Sequence, residues 1–205
     1  AEVAISADEG GGPRVRLFRG GSFEQLADFF AIEDPDFFGG ARVALADVNG
    51  DGKADLIVSA GFGGGPRIAA YDGVSLFAEP RKLFEDFFVF EQTLRNGVFI
   101  AAGDINGDGS AELIAGGGPG GGPRVFALSG AGLLRGQQTQ VANFFAGDPE
   151  SRDGVRVSAR QSDADRFADI VIGDSNEPRF GIYSGVGILP DETPTMVRFE
   201  VGDDI

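Results

Sequence analysis

Asp47, Asn49, Asp51 and Asp55 stand at positions 1, 3, 5 and 9 of one short segment, and Asp104, Asn106, Asp108 and Glu112 repeat that pattern 57 residues on. Oxygen-bearing side chains at alternate positions of a tight loop turn their oxygens toward one centre. Hard cations such as Ca²⁺ take six to eight such oxygens at about 2.3–2.6 Å. Position 7 adds a main-chain carbonyl, from Lys53 and Ser110, and Gly52 and Gly109 at position 6 permit a bend that a Cβ would obstruct. The competing reading is a solvated Asn-Gly or Asp-Gly hairpin turn, because those dipeptides favour such turns. Two loops with all four side-chain ligands in place weigh toward calcium. An EF-hand would need Glu at position 12, where this chain has Val58 and Ala115. A third copy is worn: Gln161 replaces the first Asp and Arg166 the glycine, while Asp163, Asp165 and Asp169 remain. The expectation is two calcium sites and a third, weaker one.

Other chemistries are poorly supplied. The chain of 205 residues has no His and no Cys, which removes Ser-His-Asp triads, thiol nucleophiles, His–zinc sites and disulfides. Thirty-two acids against 17 bases give a net charge of -15, which repels phosphate backbones, so no nucleic-acid partner is expected. No apolar run is long enough to span a membrane. The acids that cluster are committed to the loops, so no enzyme is expected.

The loops belong to a repeat. Gly-Gly-Gly-Pro-Arg ends at Arg14, Arg67 and Arg124, with a degenerate copy ending at Arg179. Asp28-Phe29-Phe30 returns as Asp86-Phe87-Phe88 and Asn143-Phe144-Phe145 in the same phase. Each unit reads as four short strands: strand A at 41–46, 98–102 and 155–159; strand B at 2–6, 55–59, 112–115 and 169–172; strand C at 14–18, 67–71, 124–128 and 179–183; strand D at 26–32, 83–90, 141–146 and 196–201. No stretch has helical periodicity with caps. Leu56-Ile57-Val58 and Ile170-Val171-Ile172 do not alternate, as expected of strands covered on both faces. The Phe-Phe pairs put one ring on each face of strand D, with both rings expected to be buried. Repeated four-stranded units of this length predict an all-β β-propeller of antiparallel blades, with units at 1–40, 41–96, 97–153 and 154–205 forming a single domain or propeller segment. Three blades are complete. The first lacks its inner strand, which points to a segment of a larger ring or an arc completed by another chain, with a self-contained four-bladed ring with one short blade as the alternative.

Asp-x-Asn-Gly-Asp-Gly-x-Ala-Asp followed by Leu-Ile-Val, with Gly-rich turns, resembles the FG-GAP/VCBS repeat family, the calcium-loop blades of integrin α-subunit propellers and of many secreted bacterial proteins. The resemblance implies calcium at the A–B hairpin of each blade and a place that is secreted, on the cell surface or periplasmic. It also implies a role in protein interaction, adhesion or assembly, with a protein or cell-surface component as partner. The alternatives are a carbohydrate-binding propeller, for which the absence of Trp is unfavourable, and the non-catalytic propeller of a secreted enzyme. The repeated arginines are expected to pair with carboxylates on strand D, Asp28 and Asp86 among them.

Overall fold

The computed structural model describes residues 2–34, 36–173, 179–188, 192 and 194–200. It is built from four antiparallel sheets in which strands follow one another as meanders. The first holds β1 (Glu2–Ser6), β2 (Arg14–Arg19) and β3 (Gln25–Phe30). The second holds β4 (Ala41–Ala46), β5 (Asp55–Ala60), β6 (Arg67–Tyr71) and β7 (Phe87–Phe88). The third runs β8 (Val98–Gly103), β9 (Glu112–Gly117), β10 (Arg124–Leu128) and β11 (Gln140–Phe145). The fourth runs β12 (Arg156–Arg160), β13 (Asp169–Gly173), β14 (Arg179–Tyr183) and β15 (Met196–Glu200). The all-β class and the order of strands A to D follow the sequence reading. The first sheet has three strands, with none in the strand A position among the described residues.

Packing explains the continuous apolar runs. Leu56 and Val58 face the first sheet and meet Val15 and Leu17, whereas Ile57, between them, faces the third sheet and meets Leu113. Ile114 points the other way, to Ile170 and Ile172 of the fourth sheet. Successive residues of a strand alternate faces, so a strand between two sheets is covered at every position. β5 and β9 are buried throughout for this reason. The A strands stand in series, β4 beside β8 and β8 beside β12. Phe99 on β8 is flanked there by Arg42 and Arg156, whose guanidinium carbons lie 4.1 and 4.6 Å from its ring centre. The outer face of the first sheet leaves Ile5 exposed, and that of the fourth leaves Val197 exposed.

The sheets come very close where the chain passes from one to the next. Gly40, Gly97 and Gly154 lie just before the A strands at φ +71°, +70° and +72°. Their amides donate to the carbonyls of Gly11, Gly64 and Gly121 at 2.9, 3.2 and 3.1 Å. A Cβ on Gly97 would run into the carbonyl oxygens of Ala60 and Gly61 on the preceding sheet. Only glycine combines this dihedral with this approach. Gly97→Ala is expected to cost about 2 kcal/mol or more, seen as a lower denaturation midpoint; an unchanged midpoint would refute the close-approach argument.

Three expectations need correction. Strand D of the second unit, read as 83–90, is reduced to β7, preceded by a bridge from Lys82 to Tyr71. Between these pairings strand C advances three residues and the D segment five, so residues 84–86 bulge out. The second ring of each Phe-Phe pair is not buried: Phe30, Phe88 and Phe145 are exposed. Each lies over the third glycine of its own Gly-rich turn, Gly12, Gly65 or Gly122, where a Cβ would meet the ring at 3.3, 2.8 or 3.3 Å. A short helix, α1 (Gly130–Leu133), also forms, capped by the Ser129 hydroxyl, which accepts from the Gly132 amide.

Candidate metal centre

The three acidic segments form the β4–β5, β8–β9 and β12–β13 connections, all at the same end of the stacked sheets. The first two fold alike. Asp47 Oδ1 accepts from the amides of Gly50 and Asp51 at 2.7 and 3.1 Å, and its Oδ2 from Gly52 at 2.8 Å. Asp104 repeats this with Gly107, Asp108 and Gly109 at 2.6, 3.2 and 3.0 Å. Asn49 and Asn106 turn their carbonyl oxygens to the amides of Asp51 and Asp108. Asp51 and Asp108 in turn accept from Lys53 and Ser110 at 2.8 and 2.9 Å. Gly50, Gly52, Gly107 and Gly109 all sit at positive φ, the conformation that this succession of inward carboxylates requires.

The ninth position is buried. Asp55 is fully enclosed; its Oδ2 accepts from Val48 and Asn49 at 2.9 and 3.3 Å and its Oδ1 from Gly73 at 2.7 Å. It therefore ties the loop to the turn that follows strand C. Glu112, one methylene longer, accepts from the Ile105 amide at 2.9 Å and the Asn106 side-chain amide at 2.8 Å. Burial raises the Asp55 carboxyl above its ordinary range, with Asp51 nearby adding to the rise. Burial pushes Glu112 up to about 8, assisted by the charges of Asp108 and Asp104. No ion pair among the described residues reaches any of these side chains. In each loop a buried carboxyl and its acidic neighbours thus have no protein cation to favour ionisation, and their donors are the hard oxygens that a divalent cation such as Ca²⁺ prefers. Among the described residues no three acidic side chains form a cluster able to hold a metal on their own. A centre here would need Asn49 or Asn106 and main-chain carbonyls to complete it.

The third loop has satisfied itself differently. Gln161 donates its side-chain amide to the Asp165 carbonyl. Asp163 and Asp165 accept from the amides of Asp165 and Phe167. Asp169 is buried too, yet hydrogen bonds from the Ser162 hydroxyl and amide and from the Gly185 amide outweigh burial, and its carboxyl lies below the usual range. Phe167 lays its ring at Gly107 of the second loop, where a Cβ would meet it at 2.8 Å.

The loops are also chained together. The Ala111 amide, at position 8 of the second loop, donates at 2.7 Å to the carbonyl of Asp47, position 1 of the first. Ala168 repeats the bond to Asp104 at 2.7 Å. Sequence reading missed this link because it depends on how one sheet is set against the next.

The family model of the FG-GAP repeat matches residues 39–75, the stretch from Gly39 through β4, the first loop, β5 and β6 to the turn at Ser75. This unit is an FG-GAP repeat. No curated protein matches the chain. The FG-GAP unit shares its strand order and its loop hydrogen bonds with the third sheet, which lies outside the matched residues. The repeated arginines of strand C were expected to meet carboxylates. Arg14 does so with Asp28, and Arg67 with Asp86. The Arg179 side chain lies outside the description.

Proposed function

We propose that the chain is a run of β-propeller blades whose A–B loops bind Ca²⁺, and that it serves without catalysis as an extracellular module for protein interaction, adhesion or assembly. The observation that carries this reading is the pair of loops in repeat phase, each with a buried carboxyl group that no cation of the protein faces. Asp47, Asn49, Asp51 and Asp55 with the Lys53 carbonyl would hold one ion. Asp104, Asn106, Asp108 and Glu112 with the Ser110 carbonyl would hold the other. Bound calcium would supply structural charge compensation. The FG-GAP match supports the propeller and the extracellular setting. No described helix is long and apolar enough to cross a membrane. Further blades, from this chain or a second one, would cover the exposed outer faces of the first and fourth sheets.

Calorimetric titration with calcium tests the reading. Two sites are expected, with the Gln161 loop weaker than either, since it offers fewer anionic ligands. Asp51→Ala and Asp108→Ala should each abolish one site. A flat titration, or three equal sites, would overturn the assignment.

A further inference from the structure

Arg14, Arg67 and Arg124 open β2, β6 and β10, each beside a strand D residue of the same phase. In two of the three units that residue is a carboxylate. Arg14 grips Asp28 with Nε and Nη2 at 2.5 and 2.8 Å, and Arg67 bonds Asp86 through Nε at 2.9 Å and through Nη2. In the third unit the acid is replaced by Asn143. Arg124 keeps only a neutral partner there, donating Nε to the Asn143 carbonyl oxygen at 2.9 Å. The acid that pairs with it is Glu91, loosely: its Oε1 lies 3.6 Å from Nη1, beyond a hydrogen bond, on a side chain that is 73% exposed.

This guanidinium borders a cleft of about 240 Å³ between the residues after β7 and the Gly-rich turn of the third sheet. Phe90, Leu94 and Phe145 wall the cleft, and Arg152 stands at it with Arg124. Arg152 donates Nη1 to the carbonyls of Pro149 and Ser151, which holds it in its own loop and leaves its remaining N–H groups to other acceptors. The Arg124 guanidinium carbon lies 5.7 Å from the Phe90 ring centre and 5.3 Å from that of Phe126. Of the charged side chains that line the cleft, two are guanidiniums and one, Glu91, is a carboxylate.

We propose that this cleft binds a small carboxylate carried on a single six-membered ring. The ligand would supply the carboxylate that Asp28 and Asp86 supply to the equivalent arginines. Planar guanidinium and carboxylate pair through parallel N–H···O bonds, and the Phe90 and Phe145 side chains that line the cleft give the ring of the ligand an apolar wall. Volumes typical of drug-sized sites start at about 300 Å³, so the cleft takes one ring rather than several. Free aromatic acids, with a flat ring, and the uronic-acid residues of polysaccharides, whose puckered ring presents C–H groups to an apolar wall, both carry such a carboxylate. The site is separate from the acidic loops and does not depend on their binding calcium.

Benzoate and glucuronate, titrated separately into the ¹⁵N-labelled chain in calcium, distinguish the two sources. Saturable shifts of the Gly121 and Gly122 amides and of Arg124 Nε are expected with at least one of them. Benzoate alone would identify an aromatic acid, and glucuronate alone an acidic sugar. Asn143→Asp, which rebuilds the pair of the other units, and Arg124→Gln should each weaken binding about tenfold or more, the worth of one charge-assisted pair. Glu91→Gln should tighten it by removing a competing carboxylate. No saturable shift with either probe, or an Asn143→Asp variant that melts like the parent and binds as tightly, would overturn the proposal.

Discussion

Excess chelator is expected to lower the melting temperature by on the order of 10 °C, and added calcium to restore it. A ligand present at a hundredfold its Kd stabilises the folded state by about 2.7 kcal/mol per site. Two ions also change the net charge of the chain from -15 to -15 + 4 = -11, which reduces self-repulsion. The effect should not stay local. The Asp47 carbonyl holds the Ala111 amide of the next loop, and the Asp104 carbonyl holds that of Ala168, so a disordered first loop releases a bond of the second. Differential scanning calorimetry with and without chelator measures this. An unchanged thermogram would mean that the loops are ordinary turns held by their own hydrogen bonds.

Asp55→Ala should cost about 3–5 kcal/mol, and the loss should persist in chelator. The carboxylate receives amide N–H groups from Val48, Asn49 and Gly73, and Val48 and Gly73 are buried. Truncation leaves these donors without an acceptor where water does not reach, at about 1–3 kcal/mol for each buried one. Asp51 is the contrasting case. It is exposed and accepts only from the exposed Lys53 amide and, at 3.4 Å, from the Asn49 side-chain amide, so Asp51→Ala should matter in calcium and little without it. Urea unfolding of both variants in each condition separates the roles. If Asp55→Ala is destabilising only when calcium is present, its part is that of a ligand and not of a brace.

The strands were legible because each unit states them several times over. The continuous apolar run Leu56-Ile57-Val58 matches the sheets on either side of β5, as Leu113-Ile114-Ala115 does those beside β9, whereas Ile170-Val171-Ile172 lies in the flanking fourth sheet, where only Ile170 and Ile172 face a core and Val171 is half-buried. The loops were legible as a pattern of oxygens, but their electrostatics were not. That Asp55 and Glu112 are desolvated while Asp169 is satisfied by Ser162 depends on which amides and hydroxyls the fold brings to each carboxylate. Exposed Phe30, Phe88 and Phe145 were misread because alternation along a strand gives the face but not the neighbour. Each ring leaves the core to cover a glycine more than a dozen residues earlier. Gly97 had no local signal, since its dihedral and its closeness to Ala60 are properties of the joint between sheets. The Asn143 exchange was visible as a letter, and its consequence only once Arg124 was seen beside a cleft.

The three cores each join one pair of neighbouring sheets. Free energy in such an array accrues joint by joint, as in a one-dimensional chain of coupled units, rather than from one central nucleus. The second and third sheets are clamped on both faces, whereas the first and fourth are each held on one. Local opening should therefore be graded along the array, with the smallest protection in the flanking sheets. Whatever stacks on Ile5 or Val197 would then act as a cap, raising the cooperativity of the whole array without touching the loops.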